Sequence, residues 1–157
     1  MSNIMKFFNP TNSVMKRSIV TQITQTNIVS KDYKLMLSET DALAIIEARN
    51  DALKNLGRFE LGFDVISEII KAFCTSPYIN QIDYTETICD LVELFYYMKN
   101  ETADEIGDTD LIQIMKERFD SRCCGAVDLL ISRELESLIQ EVKQGRYYGK
   151  ISDEDEV

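Results

Sequence analysis

From Ser38 to Gly145 the apolar residues return every three or four positions, and this spacing constrains the fold more than any other feature of the chain. Ser38 stands where a helix N-cap belongs, ahead of Ala42, Leu43, Ile45, Ile46, Leu53 and Leu56, and Gly57 supplies the stop. A second run carries Phe63, Ile66, Ile69, Ile70 and Phe73 and ends near "TSPY", because Pro77 disfavours helical geometry in the residue before it. A third opens at Asp83 as N-cap and buries Ile88, Leu91, Val92, Phe95 and Met98. Asp108 caps a fourth with Leu111, Ile112, Ile114, Met115 and Phe119 inward. The fifth starts around Gly125 and uses Val127, Leu130, Ile131, Leu135, Leu138 and Val142, with a bend at Ser132, up to Gly145. Short connections between amphipathic helices predict an all-α, single-domain bundle of about five or six helices.

The ends read differently. "SIVTQITQTNIV" is rich in β-branched residues yet puts Ile19, Val20 and Ile23 on one side, which predicts a short helix. Tyr33, Leu35 and Leu37 alternate and predict an extended lead-in to residue 38. Residues 1–37 hold five Lys/Arg against Asp32, a net +4 that leaves −14 for the rest of a chain whose total is −10. The expected organisation is a basic arm over 1–37, a helical domain over 38–145 and a flexible acidic tail over 146–157.

Charge excludes one class of function, since a chain at −10 has no lysine and arginine stripe with which to neutralise phosphates, so no nucleic-acid partner is expected. Asn9, Pro10, Thr11 and Asn12 interrupt any signal-peptide core, and no segment has the ~20 apolar residues of a membrane span. A cytoplasmic protein without a membrane partner is expected, and four cysteines at 74, 89, 123 and 124 fit reduced thiols.

"GRFELG", Gly57 to Gly62, has the glycine spacing of a phosphate loop, but Phe63 and Asp64 stand where lysine and a hydroxyl residue are needed. It reads instead as a connector in which Phe59 and Leu61 point one way and Arg58 and Glu60 the other. "TADEIGDTDLIQ" fails as a calcium loop, with Ile106 at a ligand position and Gln113 in place of the bidentate Glu. Glu86, Asp90 and Glu93 line one helix face with Tyr97; this is a solvated face that could serve a partner. The chain has no histidine, which removes Ser-His-Asp and Cys-His catalysis, and no catalytic residue, cofactor or metal site is expected. Cys74 and Cys89 sit beside apolar faces as small core residues.

Arg49 departs from the pattern, because it projects from the middle of the first apolar stripe. A buried guanidinium must meet an acid or a set of carbonyl oxygens. One reading pairs it internally with Glu60, Asp64 or Glu134. The other builds a small anion pocket from Arg49, Asn50, Arg58 and Glu60, with Tyr78 or Tyr84 nearby. Arg118 and Glu134, also within helical stripes, raise the same question.

The stretches "EARNDALKNLGRFELG", "IIKAFCTSPYINQIDYTETICDLVELFYYMKNET" and "DLIQIMKERFDSRCCGAVDLL" together resemble a family of small bacterial proteins grouped as a domain of unknown function, family 6323. The resemblance covers roughly residues 34–140 and implies a free-standing, helical, cytoplasmic bacterial protein, with no activity or site attached to it. Two functional expectations follow. The first is a non-catalytic interaction or regulatory module, with a protein partner or a second copy bound through an exposed face, Tyr97, Tyr147 and Tyr148 being candidates. The second is a protein or enzyme for a small anionic ligand around Arg49 and Arg58.

Overall fold

A computed structural model describes residues 13–147 of the chain, and the described residues are helical without a strand. The N-terminal stretch forms α1 (Ser13–Thr24), a one-turn α2 (Asn27–Ser30) and a 3₁₀ turn (Lys31–Tyr33). Ile19, Val20 and Ile23 from α1 join the same buried core as the later helices, as do Leu35 and Leu37. Residues 35–38 are extended as expected, and side-chain amides stand in for a neighbouring strand. The Leu37 N–H donates to Asn27 Oδ1 while Asn27 Nδ2 donates to the Leu37 carbonyl, and Gln81 treats Met36 in the same way from the other edge. Tyr33 breaks the expected alternation, because the 3₁₀ turn leaves it exposed.

Helix α3 (Glu39–Leu56) begins at a capping box in which Ser38 Oγ accepts from the Asp41 N–H and the Asp41 carboxylate accepts from the Ser38 N–H. It ends at Gly57, whose φ of 71° is the left-handed conformation that glycine adopts without a Cβ penalty. Helices α4 (Asp64–Phe73), α5 (Tyr84–Glu101) and α6 (Asp108–Ser121) follow. The most extensive pairing is α3 along α5, with α4 closing on α6 beside it, where Phe73 and Phe119 meet edge to face at 5.3 Å. Asp83 occupies the α5 N-cap position but makes no capping bond. The cap of α6 is Gly107; Asp108 is the first helical residue, and its carboxylate turns to Lys99 instead.

The last run is one continuous rod of three parts, α7 (Val127–Leu129), a π-helical segment (Leu130–Leu135) and α8 (Glu136–Lys143). Where a bend at Ser132 is expected the helix runs through this π segment, and the segment changes which residues face inward. Ile131, expected in the core, is 41% exposed, whereas Ile139 is buried. Arg118 donates to the Glu134 carbonyl at 2.7 Å, and the Glu134 carboxylate lies 3.5 Å from Arg122. Among the described residues no helix is long and apolar enough to cross a membrane.

Candidate functional site

The seven residues after α3 double back over its last turns, and Arg49 holds them there. Its side chain is only 4% exposed. One terminal nitrogen donates to the carbonyls of Glu60 at 2.7 Å and Gly62 at 2.8 Å, and the other donates to Asn50 Oδ1 at 2.8 Å. The guanidinium carbon stands 3.7 Å from the centre of the Phe63 ring, a cation–π contact removed from water. The ion pair expected with Glu60, Asp64 or Glu134 does not form among the described residues. Asp64 is engaged by Gln22 and Glu134 by Arg122, so carbonyl dipoles meet the charge instead. Burial therefore pulls the Arg49 pKa below its ordinary value, opposed by the nearby Tyr96 hydroxyl and by the Glu60 carboxylate.

Arg58 fixes the same loop from its other side. It makes a two-pronged contact with Asp104, at 2.9 and 3.3 Å, and reaches Glu60 Oε2 at 3.0 Å. The Asp104 hydrogen bonds raise the pKa of Arg58, and Arg58 in turn holds the Asp104 carboxyl below its usual range. Asp104 sits after the end of α5 at φ 60°, and Ala103 before it at φ 52°, both left-handed without being glycine. Lys99 straps the turn from beneath, with its ammonium 2.7 Å from the Ile106 carbonyl, 2.8 Å from Asp108 and 3.7 Å from Asp104. A continuous chain of charge thus ties the loop after α3 to the loop after α5.

The four candidates Arg49, Asn50, Arg58 and Glu60 are brought together. Tyr78 and Tyr84 are not among them: Tyr84 lies buried toward Ser30 and Cys74, and Tyr78 packs at Cys124 and Gly125. The tyrosine beside Arg49 is Tyr96, which helical periodicity alone does not connect to a loop. Lys99 and Asp104 were also missed, because their association with Arg58 crosses between elements far apart in sequence. Phe63 was legible only as an apolar residue opening the second run. The Nε atoms of Arg49 and Arg58 are buried with no hydrogen-bond partner among the described residues.

The outward face of this loop is apolar. Phe59 is 70% exposed and Leu61 74%, in the alternation expected, while Arg58 turns inward and Glu60 lies half-buried beside it. Of the tyrosines, Tyr97 is 37% exposed on α5, Tyr147 is half-buried against the core and Tyr148 lies outside the described residues. Glu86, Asp90 and Glu93 are exposed around Tyr97's helix; burial and neighbouring acids raise the pKa of Asp90 and Glu93. Among the described residues no group of three or more Cys, Asp or Glu side chains is arranged to hold a metal ion.

A model of a family of unknown function matches residues 22–148. No curated protein and no solved structure matched the chain.

Proposed function

The chain belongs to the family of unknown function DUF6323, and we propose that it is a non-catalytic interaction or regulatory module of the bacterial cytoplasm that meets a protein partner through Phe59 and Leu61. The observation that carries this reading is the pinned loop. Two large apolar side chains, each more than two-thirds exposed, are carried by a backbone that Arg49 and Arg58 fasten from within. Ordering a loop on binding costs free energy, and a loop already held in shape avoids most of that cost. Aromatic side chains are favoured at the centres of such interfaces.

The anion-pocket reading is less well supported. Each guanidinium already has its terminal nitrogens satisfied, Arg49 by three oxygens and Arg58 by two carboxylates, so a free anion would have to displace internal partners. Tyr97 and Tyr147 remain candidates for the edge of the partner surface.

The test is affinity capture from the native cell with the wild-type chain and the double variant Phe59→Ser/Leu61→Ser in parallel. A stoichiometric partner retained by the first and lost by the second, at equal melting temperature, supports the proposal. Equal recovery by both would reject it.

A further inference from the structure

The cleft between the N-terminal helices and α4 is a second place where the molecule presents chemistry outward. It encloses about 630 Å³, within the range of small-ligand sites. One wall is the face of α4 carrying Asp64, Ser67, Glu68 and Lys71; the opposite wall carries Gln22, Gln25, Ile28 and Val29. The other face of α4 is Ile66, Ile69, Ile70 and Phe73, all buried, so the polar face is what the core did not take.

The charges are placed at opposite ends. Asp64 opens α4, and one of its oxygens accepts from Gln22 Nε2 at 2.8 Å. Lys71 stands seven residues on, and its ammonium makes no ion pair with any described residue, although Glu68 is a possible partner one turn away. Glu68 is engaged by Thr109 at 3.4 Å instead. The Ser67 hydroxyl, also in this wall, is buried without a hydrogen-bond partner among the described residues. At ~1.5 Å per residue the backbone positions of Asp64 and Lys71 are separated by about 10 Å along the helix axis. An extended chain advances ~3.4 Å per residue, so three residues span the same length.

We propose that this cleft binds a short peptide of about three residues with free ends, its α-ammonium toward Asp64 and its α-carboxylate on Lys71. Ile28 and Val29, both exposed, give its central side chain an apolar wall, and Gln25 faces its backbone amides. Charges at the two ends of α4 also complement the helix dipole, but that role requires neither the cleft nor the buried hydroxyl.

The experiment is a titration of the isotope-labelled full chain with the tripeptide Ala-Leu-Ala, followed by amide chemical shifts. The expected result is saturable shifts at millimolar peptide, confined to residues 22–29 and 64–71. The same tripeptide acetylated and amidated at its ends should bind at least about tenfold more weakly, because each end loses a charge-assisted hydrogen bond. Lys71→Gln, at an exposed position without an ion pair among the described residues, should lower the melting temperature by no more than a few degrees through the lost dipole complement and lose most of the response. Phe59→Ser/Leu61→Ser should bind the peptide like the wild type, which separates this site from the proposed partner surface. Absence of saturable shifts, equal response to the blocked peptide, or shifts centred on residues 57–63 would overturn the proposal.

Discussion

Replacing Arg49 with methionine removes the charge while keeping much of the side chain's length and its apolar packing. Three hydrogen bonds disappear, to the carbonyls of Glu60 and Gly62 and to Asn50 Oδ1. Bonds to a charged group contribute ~1.5–3 kcal/mol each, and the Phe63 contact adds ~1–2 kcal/mol, so the gross loss is about 5–11 kcal/mol. Two terms oppose it. Removing a guanidinium that lacks a carboxylate partner relieves a desolvation cost of several kcal/mol, and a loop released from Arg49 can open to let water reach the freed carbonyls. We expect a net destabilisation of ~2–4 kcal/mol, which for a chain of this size lowers the melting temperature by about 5–15 °C. The loop should loosen more than the core does. Thermal unfolding followed by circular dichroism gives the first quantity, and limited chymotrypsin digestion at Phe59 and Leu61 gives the second. Arg49→Lys should fall between the two, since one ammonium cannot span all three acceptors and the ring. A methionine variant as stable as the wild type, cleaved at the same rate, would refute the claim that this side chain organises the loop.

Glycine 125 and Gly57 offer a contrast at similar φ. A Cβ on Gly125 would overlap the Tyr78 Cβ, whereas Gly57 has open space around it. Gly57→Ala should cost only the left-handed backbone term of ~1–2 kcal/mol and Gly125→Ala distinctly more, measured by urea unfolding. The acids should act in opposite directions. The folded pKa of Asp104 lies below its ordinary 3.8, so its contribution is present above that value and is lost as pH falls through the lower folded one. Asp104→Asn should therefore melt below the wild type near neutral pH, with the difference vanishing in strong acid. Glu93 has a raised folded pKa, so its ionised form weighs against the fold at neutral pH and is relieved as pH falls through the raised value. Glu93→Gln should raise the melting temperature at neutral pH and not below the ordinary carboxylate range. Among the four thiols, Cys124 is exposed, Cys74 and Cys123 are buried, and burial pushes Cys89 up to about 11. A thiol reagent should modify one cysteine quickly in the native chain and all four after denaturation; fast loss of two or more would contradict the packing.

The helices were legible because their apolar positions repeat with the period of the secondary structure itself. Ser38 and Gly57 marked the ends of α3 correctly because each acts through its immediate neighbours, as a cap and as a left-handed stop. Asp108 misled for the opposite reason. Its residue type suits a cap, but Lys99 from another helix took its carboxylate and Gly107 became the cap position. Ile131 was misplaced because a π segment shifts the phase, and no residue type announces that shift. The loop around Arg49 was half legible. A cation in an apolar stripe signalled an internal partner, and the alternation of residues 58–61 gave their facing. Carbonyls rather than a carboxylate received it, because the chain doubles back over the helix, a path set by packing rather than by local preference.

The account rests on buried charge holding a loop in one shape so that Phe59 and Leu61 face outward. Backbone ¹⁵N relaxation of the free chain measures this directly. The amides of residues 58–62 should have order parameters of ~0.85, like those of the helices, and Arg58→Ala should lower them. Values below ~0.6 in the wild type would mean that the loop is not held, and the proposed recognition surface would lose its basis.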